Sequence, residues 1–214
     1  MRLRWRLAQF FEIIWWRSYM RGKDNVDYLL KKKLYWQTQL DDCADVFKIR
    51  NTDIILDMGC GPAGVFINLP DNKITAVDPL LDKYENDLSV FSPADYPNVR
   101  FIKSTIEAYQ PGQQFDYVFC MNAINHVSDI AKGFEVLAAA CAPNGKMIVS
   151  IDAHKNSFMK AIFRIGPGDV LHPHQYSMEE YTNFLHQVGF KVIKSIILEP
   201  GKVFDLCLLV AERG

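Results

Sequence analysis

The residues most able to do chemistry are two aspartates set around a run of glycines. Leu56-Asp57-Met58-Gly59-Cys60-Gly61-Pro62-Ala63-Gly64 follows the apolar stretch Ile54-Ile55-Leu56 and satisfies G-x-G-x-x-G, the pattern of a loop on which a nucleotide can lie. Glycine lets the backbone turn sharply there and lets a ligand approach with no Cβ in the way. The same pattern suits a tight turn with no ligand, so the neighbours have to decide. Asp57 stands two residues before the first glycine. A carboxylate at that place repels a diphosphate and accepts hydrogen bonds from an ammonium group. Pro62 removes one of the backbone N–H groups that would cradle a phosphate. Asp78, followed by Pro79, comes about twenty residues after the loop strand, where an acid accepts hydrogen bonds from a ribose diol. An aspartate capping a turn is the plainer alternative. Together these residues favour a nucleoside joined to a cationic amino acid over NAD.

Histidines supply the other candidates. His126 lies in Met121-Asn122-Ala123-Ile124-Asn125-His126-Val127; a base near neutral pKa suits deprotonating or orienting an oxygen or nitrogen acceptor, with packing at a helix start as the alternative. His172-Pro173-His174-Gln175-Tyr176 falls in a long irregular stretch. Such stretches often carry binding function, so His172, His174 and Tyr176 are candidates for a substrate pocket. Two histidines flanking a proline, with only Asp169 near, are a thin ligand set, and no metal is expected. His154 and His186 read as ordinary surface or helix positions.

These residues need a scaffold, and the pattern of the chain supplies one. Met1 to Met20 lacks Gly and Pro and reads as a helix, stopped at Arg21-Gly22-Lys23 with Asp24 as a fresh N-cap. Asn25 to Phe47 has near-helical apolar spacing. Strands are expected at Ile54–Leu56, Lys73–Val77, Val99–Lys103, Phe115–Met121 and Lys146–Ile151. A helix is expected over Ile130–Ala142, closed by Pro143-Asn144-Gly145. Ser177-Met178-Glu179-Glu180 looks like a capping box opening a helix to Val188, stopped by Gly189. Lys191–Leu198 and Val203–Ala211 are joined so tightly that an antiparallel hairpin follows, since parallel neighbours need a long crossover. Alternating β and α with an antiparallel end is an α/β sheet.

At this point the chain resembles a known family. Asp57 to Gly64, Val77-Asp78-Pro79, Phe115-Asp116-Tyr117-Val118 and Pro143-Asn144-Gly145-Lys146 are similar to the class I S-adenosylmethionine-dependent methyltransferases, closest to the small-molecule type 11 group. The resemblance covers about Asp53 to Gly145 well and the C-terminal end more loosely. It implies a Rossmann-like seven-stranded sheet, mostly parallel with an antiparallel last strand, and helices on both faces. It implies that Asp57, Gly59, Cys60, Gly61 and Gly64 wrap the methionine part of S-adenosylmethionine and that Asp78, beside Pro79, binds the ribose. Thr105-Ile106-Glu107 stands where the family often has Asp-Ala-Glu, so Thr105 replaces the acid that meets the adenine amino group, and Ile106 would pack on the adenine face. Asn122 is the implied cofactor neighbour and His126 the substrate-facing group. The reaction is an in-line displacement, and a base is needed only if the acceptor must lose a proton. The rivals are an NAD-dependent Rossmann oxidoreductase, and a non-catalytic domain that binds S-adenosylmethionine or a partner.

Composition narrows the field further. A chain of 214 residues, 49% apolar, can bury one α/β core with a small helical cap, here placed at 1–48 ahead of a cofactor-binding domain at 49–214. A net charge of −1 gives no whole-chain case for nucleic acid. Five scattered cysteines form neither a disulfide framework nor a zinc motif and suit a reducing, cytoplasmic setting. Gln9 and Glu12 interrupt the apolar N-terminal run, which argues against a signal peptide. That basic, aromatic segment would fold as a lid over the cofactor mouth in preference to lying on an anionic membrane. The expected partner is a small-molecule methyl acceptor; oligomeric state is open.

Overall fold

The computed structural model describes residues 2–154, 176–201 and 203–214, with the backbone alone for 2–8 and 10. Helices α1 (Arg2–Met20) and α2 (Asn25–Asp42) come first. The break between them is the expected one: Gly22 takes φ +74°, and Asp24 caps α2 by accepting from the Asp27 N–H at 2.8 Å. Strands β1 (Ile54–Met58) and β2 (Lys73–Val77) follow. Next come α3 (Leu81–Asp87), β3 (Val99–Ile102) and β4 (Phe115–Cys120). The remainder is α4 (Ile130–Ala140), β5 (Cys141–His154), α5 (Met178–Gln187), β6 (Phe190–Pro200) and β7 (Phe204–Arg213).

The seven strands form one sheet in the order β3-β2-β1-β4-β5-β7-β6. β7 slots antiparallel between β5 and β6, and the other described pairings are parallel. Central strands buried on both faces read as continuous apolar runs, as Ile55-Leu56 and Val118-Phe119-Cys120 do. α4 and α5 cover one face, over Leu56, Val118, Met147 and Val149. α1 and α2 cover the other, over Ile55, Ile74, Phe119 and Ile148. The expected capping box is present, with Ser177 and Glu180 bonded reciprocally, and Gly189 ends α5 at φ +81°. All five cysteines are buried, and none is in a disulfide.

Two expectations are corrected. α2 ends at Asp42, short of Phe47. β5 begins at Cys141 and runs to His154, and Pro143-Asn144-Gly145 lies inside it as a bulge. Three residues of β4, Phe115 to Tyr117, oppose six of β5, Cys141 to Lys146; the bulge absorbs a proline that a regular ladder would not. After the glycine loop comes a single 3-10 turn, Val65–Asn68.

α2 is tied to that loop. The buried Trp36 Nε1 donates to the Ala63 carbonyl at 2.9 Å. Trp36→Phe leaves that carbonyl unsatisfied in an apolar setting and is expected to cost about 1–3 kcal/mol. Denaturant unfolding checks this; a loss below about 0.5 kcal/mol would mean the bond does not hold the loop.

Candidate active site

The strand order reverses between β1 and β4, the place where open α/β sheets bind ligands beyond their carboxyl ends. The glycine loop leaves β1 there and is pinned to β2. Gly59 and Cys60 both donate their N–H groups to the Val77 carbonyl, at 2.7 and 3.2 Å. Gly61 N–H donates to Asp78 Oδ2 at 3.0 Å, and Asp78 Oδ1 accepts from Leu80 N–H at 2.8 Å. The N–H groups of Gly59, Cys60 and Gly61 are therefore spent inside the protein, Pro62 has none, and the four-residue 3-10 turn offers no helix dipole. Gly59 at φ +71° and Gly61 at φ +57° need the left-handed conformation that glycine allows. A Cβ on Gly61 would meet nothing closer than Trp16 of α1, at 3.9 Å, so that face of the loop is bare.

Three carboxyl groups gather round this loop. Asp57, at 1% exposure, lies beneath Gly64 and accepts from Phe66 N–H at 3.1 Å. Burial pushes it up to about 7 against that hydrogen bond. Asp78 is pushed up to about 6 by burial, opposed by the Leu80 and Gly61 N–H groups. The third is Glu12 of α1, which accepts from the Tyr84 hydroxyl at 3.3 Å. Burial first, then the Asp78 charge, push it up to about 7. α1 is held by further contacts to α3, an Arg17–Asp87 ion pair at 2.7 Å and a Trp16–Tyr84 edge contact with centroids 6.0 Å apart. The donor set fits a ligand that brings positive charge and hydroxyl groups and no phosphate.

The cluster has a pH signature. Carboxyls held above their ordinary range keep protons that the unfolded chain has lost, so their stabilising contribution is full below about pH 4 and lost as pH rises through about 6 to 7. Glu12→Gln removes one such group. Relative to the unsubstituted chain it is expected to gain stability near pH 7.5 and not near pH 4.5, measured by thermal unfolding at both. An equal change at the two pH values would show that Glu12 does not titrate in this window.

Other expected residues take varied places. Cys60 is buried and Pro79 half-exposed beside Asp78. Ile106 is 6% exposed, packed in the core under α4. Glu107 accepts from the Ser128 and Asp129 N–H groups at 2.6 and 3.4 Å, so its carboxylate serves the approach to α4. Thr105 Oγ1 accepts from Ala108 N–H at 3.3 Å. Asn122 is exposed, at φ +53°, with its N–H on Ser150 Oγ and its amide oxygen accepting from that hydroxyl, both at 2.7 Å. His126 is exposed on the 3-10 turn Ile124–His126. Tyr176 packs its ring on Tyr181 and Phe184 of α5. His172 and His174 lie outside the described residues. His186 is exposed on α5, whereas His154 is buried at the end of β5 with its ring 4.2 Å from Phe204, against the expectation of a surface position.

Beside Asn122 is a polar group that sequence reasoning missed. Tyr181 donates to Asn125 Oδ1 at 2.7 Å, and Asn125 Nδ2 donates to Asp152 Oδ2 at 3.3 Å. Tyr35 of α2 faces the same place, influenced by Gln39, Asn122, Glu199 and Asp152. Gln39, 6% exposed, lies against Tyr35 in the same place. Among the described residues no cluster of metal-ligating side chains occurs, and no helix is long and apolar enough to cross a membrane.

A family model described as a methyltransferase domain matches residues 28–195. The ubiquinone biosynthesis O-methyltransferase of Rickettsia felis is 27% identical over 162 residues, which is 69% of this chain and 65% of that protein. Its namesake from Rickettsia bellii is 31% identical over 111 residues, 50% of this chain and 46% of that one. The chain thus spans less than two thirds of the length of these relatives. In fold, it matches magnesium protoporphyrin IX methyltransferase from Synechocystis PCC 6803, solved with bound SAH, with a TM-score of 0.64 at 17% identity, covering 96% of this chain and 95% of that one.

Proposed function

The chain belongs to the class I S-adenosylmethionine-dependent methyltransferases, and from that premise we propose that it transfers a methyl group from S-adenosylmethionine to an oxygen or nitrogen of a small molecule. The observation that carries this reading is the glycine loop whose N–H groups are bonded to β2 and Asp78 and whose surroundings are acidic. That combination suits a cationic nucleoside and disfavours a dinucleotide. The named reaction of the Rickettsia relatives supports an oxygen acceptor.

When bound, the cofactor supplies a methyl group already activated on a sulfonium. The protein's work is then alignment and proton handling. The loop from Gly59 to Gly64, braced from below by Asp57, would hold the amino-acid end. Asp78 would take the ribose hydroxyls, because each of its oxygens keeps a lone pair beyond the one given to a backbone N–H. Thr105, half-exposed, is the member of its triplet open to the adenine edge. Residues 1–48 would act as a cap, with Glu12 and Trp16 of α1 laid over the loop.

On the acceptor side, Asp152 is placed to receive a proton, oriented by Asn125 and so by Tyr181. His126 stands nearby at the exposed end of its turn, where it would orient the acceptor. With an acceptor that must lose a proton, Asp152→Asn is expected to lower kcat by about 10²–10⁴-fold with cofactor affinity nearly unchanged. Full turnover in that variant would exclude Asp152 as the base, and full turnover in His126→Ala would exclude the histidine.

The function itself is tested by titrating the protein calorimetrically with S-adenosylmethionine, its demethylated product and NADH, then screening acceptors with a labelled methyl donor. Tight NADH binding without binding of the sulfonium would reject the proposal. Cofactor binding with no transfer to any acceptor would favour the non-catalytic reading.

A further inference from the structure

α1 and α2 each turn one face to the protein and leave a row of large apolar side chains outside. On α1 the row is Phe11, Ile14, Trp15 and Tyr19, exposed by 38–51%; on α2 it is Val26, Leu30 and Leu34, exposed by 61–68%. These are seven of the eight large exposed apolar side chains among the described residues. They recur at helical spacing, and burial against this chain's own core does not explain them. Their surroundings carry a sign. The first 36 residues hold nine Lys and Arg against three Asp and Glu, in a chain whose net charge is −1, so the remainder is acidic.

The α1 row runs into an open cavity of about 470 Å³ at the helical junction, where Lys23, Lys31 and Lys32 line the space with Tyr28 and outnumber the two aspartates there, Asp24 and Asp27. Lys23 sits over the Tyr19 ring, 3.0 Å from its centroid. Tyr28 is 5% exposed, and its hydroxyl has no hydrogen-bond partner. Lys31 is paired with Asp27, at 2.6 Å. Lys32, half-buried over the rings of Tyr35 and Trp36, has its ammonium disfavoured by burial. With Asp27 paired to Lys31 and Asp24 engaged as the cap of α2, three ammonium groups against two carboxylates and a buried hydroxyl donor leave the cavity with a positive balance suited to an anion.

We propose that the outer face of the α1–α2 pair docks on an anionic lipid bilayer, its aromatic and aliphatic rows entering the headgroup boundary and the cavity at the helical junction taking a lipid phosphate. Aromatic rings with lysines and arginines alongside are what such a boundary accepts. A second copy of this chain is the poorer occupant, because it would bring the same positive field to the contact. Docking leaves the inner faces of both helices, with Glu12, Trp16 and Trp36, on the protein side.

The test is co-sedimentation of the full chain with vesicles. Binding is expected to phosphatidylcholine vesicles containing about a quarter phosphatidylglycerol, to weaken with salt, and to be at least about tenfold weaker to phosphatidylcholine alone. Trp15→Glu and the double change Leu30→Glu with Leu34→Glu are each expected to lower partitioning by about tenfold or more. The Leu30 and Leu34 variant should keep the cofactor affinity of the parent chain, which separates lost docking from lost folding, while Trp15→Glu is checked for folding by its thermal unfolding. No binding to the anionic vesicles, equal binding to both kinds, or full displacement by free glycerol phosphate would overturn the proposal. So would a lipid-free dimer, seen by light scattering, that the same substitutions dissolve.

Discussion

Asp78→Asn is expected to weaken S-adenosylmethionine binding by about two to three orders of magnitude. The carboxylate has two duties at once. Its oxygens hold the N–H groups of Gly61 and Leu80, and so fix the loop against the end of β2. Their remaining lone pairs are the natural acceptors for the two ribose hydroxyls, and a hydrogen bond to a charged acceptor contributes about 1.5–3 kcal/mol. Asparagine is close in shape and wrong in chemistry: one of its two ends becomes a donor, and it must face either Gly61 N–H or Leu80 N–H. Calorimetry with the demethylated product reads the loss directly. If affinity stays within about threefold, Asp78 is a loop brace and not a ribose ligand.

The second large effect is expected at Gly59. A Cβ there would overlap the Cβ of Ala123, because the loops after β1 and β4 pass each other at that point. The residue also sits at φ +71°, where any other L residue pays about 1–2 kcal/mol. Adding the overlap, Gly59→Ala is expected to destabilise the fold by about 2–4 kcal/mol. It should also push Asn122 and Ala123 away from the cofactor crevice, so binding falls even under conditions where the fold survives. Thermal unfolding and cofactor titration below the transition check the two parts separately. A stable variant with native affinity would mean that the two loops are free to part.

Local chemistry made much of this legible. The cap at Asp24, the box at Ser177–Glu180 and the Gly189 stop are rules of a few residues, and each appears where the residues place it. The glycine loop and Asp78 were equally readable, since spacing after a strand fixes their geometry. The polar group of Asn125, Ser150, Asp152 and Tyr181 was not: its members come from a 3-10 turn, a strand and a helix up to 56 residues apart, and no local pattern joins them. Glu12 left a trace. It is a charge that breaks an apolar helical run, and such isolation marks a side chain that has a partner in the fold, here Tyr84. Glu107 shows the opposite hazard, a residue at a family position whose carboxylate is committed to the protein's own backbone.

The placement of β7 bears on how this protein is made. Until Phe204–Arg213 have left the ribosome, β6 has no neighbour in the sheet, and β5 presents its long free edge, Cys141 to His154, to whatever is near. A nascent chain paused at that stage is a five-stranded sheet with an open flank and a stray strand, the kind of species that pairs with its copies. Insertion of β7 between β5 and β6 is therefore the folding step that closes the window for aggregation.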